Sequence, residues 1–161
     1  MKKQKGFSLI ELLIVVAIIL IIAAIAIPNL MRSKMAANQS SAVGSLRTIN
    51  TAEVTYSTTY PAIGFAPNLV TLGATVGTNC GNVAATSAAA CLIDPVLANG
   101  TKSGYIFTVT GGGGTPTVTY TSLAVPQVLN QTGQNAYCSD QSGVLYYDAS
   151  GTACSAASSA L

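Results

Sequence analysis

The chain has 161 residues, half of them apolar and only 7% charged, which accommodates one compact domain with one specialised segment and excludes a large multidomain enzyme. Three of its seven cations, Lys2, Lys3 and Lys5, precede Phe7, and the remainder carries four basic against five acidic side chains, so no basic stripe of the kind nucleic-acid binders need is present. There is no histidine, which removes the commonest general base and a common metal ligand; no catalytic residue, metal site or cofactor is expected.

Apolar character is concentrated at residues 7–27, where only Ser8 and Glu11 interrupt the run. As a helix this stretch is roughly 31 Å long, enough to cross a bilayer core. It is apolar all round, so it is a membrane span or a buried core helix rather than an amphipathic surface helix. A cleavable secretory signal and a simple signal anchor are the plain alternatives. Against the first stand the length of the run, the acid at Glu11 near its start, and a helical pattern that continues past Pro28.

The stretch Lys5-Gly6-Phe7-Ser8-Leu9-Ile10-Glu11-Leu12-Leu13-Ile14-Val15-Val16-Ala17-Ile18, continuing to Ala24-Ile25-Ala26-Ile27-Pro28, closely resembles the class III signal of type IV pilins and pseudopilins. The resemblance covers residues 1 to about 30 and requires a basic leader, Gly, Phe and a glutamate four positions after that Phe to coincide. It implies cleavage between Gly6 and Phe7 by a membrane prepilin peptidase that also methylates the new amino terminus of Phe7. Residues 1–6 are then a leader, and the apolar helix is retained.

A carboxylate within an apolar segment costs several kcal/mol unless it is partnered, about 2.5 to 3.5 for an acid at a helix centre on translocon scales. By family resemblance, the cation for Glu11 is the α-amino group of Phe7, on its own or a neighbouring subunit, and such a pair rewards correct filament register. Snorkelling of Glu11 towards headgroups is the simpler alternative. Pro28 closes residues 7–28, the membrane and filament-core segment, and predicts a kink or a locally melted turn. Residues 29–58 then read as an amphipathic half. Met31, Met35, Ala42, Val43, Leu46, Ile49 and Tyr56 share one face, and Arg32, Lys34, Asn38, Ser41, Ser45 and Arg47 form the other, which is solvated or faces neighbouring subunits. One helix from residue 7 to about 57 is expected, with Gly44 as a weak point.

Residues 59–161 form the globular part. Pro61, Gly64 and Pro67 stop the helix, and residues 61–103 read as a long αβ-loop with a short helix over 84–90. Residues 105–110 and 117–121 predict one hairpin across the glycines from Gly111, and residues 135–138 and 144–148 a second. The expected fold is α+β, a long amino-terminal helix packed on a four-stranded antiparallel sheet. The Gly111–Gly114 run resembles a phosphate loop only superficially, since no Lys-Ser or Lys-Thr follows it.

Cys80, Cys91, Cys138 and Cys154 lie outside the apolar segment, and an even count in an exported chain reads as two disulfides. Three connectivities exist; sequence proximity favours Cys80–Cys91 with Cys138–Cys154, and the second resembles the carboxy-terminal disulfide loop of many pilins. A zinc site lacks any Cys-x-x-Cys pair or histidine. Asp140 and Asp148 offer thin support for calcium, and turn roles suit them better. Sequons at Asn38, Asn99 and Asn130 are uninformative without a host transferase.

What the resemblance implies is a structural subunit of a type IV pilus, a helical homo-oligomer serving adhesion, motility or DNA uptake. Its precursor would be held as a single pass in the inner membrane, with the head periplasmic or extracytoplasmic. Prepilin peptidase, an assembly platform and its ATPase are the implied partners. A pseudopilin of a type II secretion system, or a minor pilin, is the alternative.

Overall fold

The computed structural model describes residues 7–74, 80 and 84–161. One helix, α1 (Leu9–Thr59), dominates the chain and passes through Pro28 without interruption. By contacts the chain divides between Lys34 and Met35 into two units. The first consists of the apolar part of α1, in which every large side chain from Phe7 to Leu30 is exposed.

In the second unit, residues 35–59 of α1 supply one wall of the core through Ala42, Leu46, Ile49, Ala52 and Tyr56. The 3- and 4-residue spacing of these side chains makes a single apolar stripe. Met35 sits only at the half-buried margin of that stripe, and Met31 is exposed. Three residues contradict the expected solvated face: Ser45 is buried, Ser41 is half-buried, and Asn38 is half-buried with its amide donating to the Thr132 carbonyl at 2.8 Å.

The opposite wall is a six-stranded antiparallel sheet, not a four-stranded one, with strands in sequence order. These are β1 (Thr101–Lys102), β2 (Tyr105–Gly111), β3 (Tyr120–Pro126), β4 (Ala136–Asp140), β5 (Leu145–Asp148) and β6 (Ser159–Ala160). The two additional strands are the two-residue edges, too short for periodicity to reveal. On β2, Tyr105, Phe107 and Val109 face the core while Ile106, Thr108 and Thr110 face out, the period of two that a sheet with one covered face requires. The second strand of the first hairpin starts at Tyr120 rather than Thr117, with Phe107 opposite Ala124. Thr117 is drawn away into a parallel bridge with Gly64.

The described residues between helix and sheet have more order than a loop. Two single-turn helices occur, α2 (Leu69–Leu72), capped by Asn68, and α3 (Pro95–Ala98), capped by Asp94 with Pro95 in its first turn. Lys102 Nζ pairs with Asp94 at 2.9 Å. The Leu97 amide, together with Lys102, holds the Asp94 carboxyl below its usual range against the opposing effect of its partial burial. No helix forms at 84–90 among the described residues; Thr86 and Ala89 close a tight turn there.

Candidate assembly segment and its supports

Gly6 and the rest of the 1–6 leader lie outside the described residues. Phe7 is exposed, and α1 begins two residues later. At this start the Ser8 amide donates to Glu11 Oε2 at 3.0 Å, and the Leu12 amide reaches the Ser8 carbonyl at 3.3 Å. Ser8 is therefore the residue preceding the first turn and Glu11 the third residue within it, the spacing of a capping box. The Glu11 carboxylate also lies where the helix dipole favours negative charge. The reading of Glu11 as an acid in need of a cation overlooked this contact, although Ser-x-x-Glu was legible in the sequence.

Pro28 has no N–H to donate back to the carbonyl of Ala24, yet α1 remains helical on either side of it. The helix is not broken at Pro28 in the single chain. Ser33 Oγ, one turn on, donates to the Asn29 carbonyl at 3.0 Å.

Both disulfides are formed as sequence proximity favours: Cys80–Cys91 with Cα atoms 5.7 Å apart and Cys138–Cys154 with Cα atoms 5.6 Å apart. Cys138 lies on β4, on the face opposite Tyr137 and Ser139 by strand alternation, so its bond ties the carboxy-terminal tail across the outer face of the sheet.

Asp140 and Asp148 each close a local turn. Asp140 Oδ1 accepts from the Ser142 amide and hydroxyl, and Asp148 Oδ1 from the Ser150 amide at 2.8 Å. The Ser150 hydroxyl and then its amide hold the Asp148 carboxyl below its usual range. Among the described residues no group of three or more His, Cys, Asp or Glu is arranged to hold a metal ion. A cavity of about 240 Å³ between the outer sheet face and the tail is lined by Thr108, Thr110, Thr121, Asp140, Tyr146 and Ser155. Its hydroxyls have no base beside them beyond Asp140, which is committed to the Ser142 turn.

A model of the prokaryotic N-terminal methylation motif matches residues 1–27. The motif covers the first part of a chain whose long amino-terminal helix packs by its second half on an antiparallel sheet. The chain is similar to the type IV major pilin protein PilA of Myxococcus xanthus, 46% identical over 72 residues that cover 40% of this chain and 33% of that protein. It is also similar to the type IV wide pilus major component PilA4 of Thermus thermophilus, 58% identical over 40 residues covering 25% of this chain and 30% of that protein. The match thus spans about a third of the length of these relatives. No solved structure matches the chain significantly.

Proposed function

We propose that the chain is a structural subunit of a type IV pilus, cleaved between Gly6 and Phe7, methylated at Phe7 and polymerised through α1. The observation that carries this reading is the exposure of the apolar half of α1 behind a methylation motif: Phe7 is 80%, Leu9 76% and Leu30 70% exposed. A surface of that size and composition cannot face water and must lie in lipid or against other protein. Before assembly the inner membrane covers it, with the sheet domain outside the cytoplasm. After assembly other copies cover it in a heterologous, open helical contact. Transfer from lipid to a protein interior supplies little driving force of its own, so an ATP-driven platform is part of the proposal.

The experiment is intact and peptide mass spectrometry on filaments sheared from producing cells. An abundant chain starting at methylated Phe7 and lacking four cysteine hydrogens is the expected result. The same processed chain confined to membranes would favour the pseudopilin or minor-pilin alternative, and a start at Met1 or Lys2 would overturn the processing step.

A further inference from the structure

Glu53, near the end of α1, is fully buried. Its Oε2 accepts a hydrogen bond from the Ala66 amide at 2.8 Å, and its Oε1 has no hydrogen-bond partner among the described residues. Ala66 is itself fully buried, in a segment with further ties to the hairpin end between β2 and β3. Phe65 N donates to the Thr117 carbonyl, Thr117 N to the Ile63 carbonyl, and Gly111 N to the Pro67 carbonyl, while the Phe65 and Tyr120 rings lie 4.9 Å apart. One buried carboxyl thus stands where α1 meets residues 63–67, which in turn hold the end of the β2–β3 hairpin.

A carboxylate buried with a single amide donor is costly, because one hydrogen bond does not replace its hydration. The ionisable groups facing Glu53 are Tyr56 on its own helix and Tyr120 on β3, and residues 63–67 contribute none. Burial pushes both phenols up, Tyr120 to about 12, so they stay neutral near neutral pH. Neither a lysine nor an arginine contributes to the Glu53 balance; burial, opposed only by the Ala66 amide, pushes its carboxyl up to about 7.

We propose that Glu53 is a proton-dependent latch: with its carboxyl neutral it holds residues 63–67 against α1, and release of that proton to solvent loosens the segment while the sheet stays formed. The direction follows from linkage. The closed state keeps a proton that the opened, hydrated carboxyl gives up, so opening becomes easier as pH rises from 4.5, the ordinary glutamate value, to about 7. Above that both states are ionised and the dependence levels off. Opening therefore grows about tenfold per pH unit within the window, about three-hundredfold in all. The latch does not depend on the filament reading.

The test is hydrogen exchange on the full chain in detergent micelles. It follows peptides covering residues 60–68, with residues 136–148 as reference, and corrects the rates for the intrinsic pH dependence of exchange. Corrected exchange at 60–68 is expected to rise about tenfold per pH unit between about 5 and 7 and then level, with the reference flat and the rise abolished in Glu53→Gln. A flat profile in the natural chain, or an unchanged slope in the variant, overturns the proposal. Should Glu53→Gln not fold, ¹³C carboxyl titration of the natural chain decides instead. The only glutamates are Glu11 and Glu53, separable with Glu11→Gln. A Glu53 midpoint near 7 supports the latch, and one near 4.5 sinks it.

Discussion

The Asn50 side-chain amide of α1 donates to the Ser139 hydroxyl of β4 across 2.8 Å. The same side chain accepts from the Tyr120 hydroxyl of β3 at 3.1 Å, and Ser139 Oγ passes its own proton to the Val144 carbonyl at 2.8 Å. Helix, two strands and the turn leading into β5 are thereby joined through one polar chain inside an otherwise apolar layer.

Removal of Asn50 leaves the buried Tyr120 hydroxyl without its acceptor and takes one bond from the buried Ser139 hydroxyl, which still donates to Val144. Asn50→Ala is expected to cost about 2 kcal/mol, because the orphaned Tyr120 hydroxyl keeps its desolvation cost and a second hydrogen bond is lost. Thermal melts followed by circular dichroism should show a fall of several degrees. In a double-mutant cycle the loss with Tyr120→Phe should be less than additive, since both substitutions remove one hydrogen bond. Strict additivity would mean that the Asn50–Tyr120 contact contributes nothing.

Gly64 occupies φ +85°, and a Cβ there would strike the Thr117 carbonyl oxygen across the parallel bridge. Gly64→Ala therefore combines backbone strain with a collision against backbone that cannot rotate away. A loss of about 2 to 4 kcal/mol is expected. Gly44 is the contrast: it lies within α1, and a Cβ added there would meet nothing within 4 Å, so Gly44→Ala should gain about 1 kcal/mol from helix propensity. Paired melts of the two variants, moving in opposite directions, check both.

The long helix and the covered face of the sheet were readable because their periods, 3.6 and 2, are properties of consecutive residues. Leu46, Ile49 and Tyr56 announced the core stripe in this way. Glu53 lies on the same stripe, seven residues after Leu46, yet its identity argues for solvent; only the Ala66 amide, thirteen residues further on, explains its burial. Thr117 leaves the expected strand for a related reason. Its neighbours are good strand formers, but its pairing partner, Gly64, lies on the other side of the long connection, beyond the reach of local propensity. Ser8 and Glu11 differ, since their spacing was sufficient and went unread.

The Cys138–Cys154 bond closes a 16-residue separation and holds the tail whose last strand, β6, pairs Ser159 with Tyr147 and Ala160 with Tyr146. A two-residue edge strand contributes little by itself. The double variant Cys138→Ser, Cys154→Ser should lose about 3 kcal/mol on the chain-entropy account. Amides of residues 155–161 should exchange freely while those of β2 and β3 remain protected. If the tail stays protected in the double variant, β6 pairing rather than the disulfide holds it.

Glu11 now has two roles to separate, a local cap through Ser8 and the proposed pairing with the Phe7 amino group in the filament. Glutamine retains an oxygen that can accept from the Ser8 amide but carries no charge; alanine retains neither. Loss of the cap alone costs about 1 kcal/mol in a 51-residue helix whose second half is packed in the core, too little to unfold it. Both variants should therefore yield folded, membrane-inserted protein with a normal sheet domain. If the charge sets filament register, Glu11→Gln and Glu11→Ala should both abolish filaments in a shearing assay. If the cap is what assembly requires, Glu11→Gln should assemble and Glu11→Ala should not. Abundant filaments from both variants would refute an assembly role for this side chain and leave Glu11 as a helix cap alone.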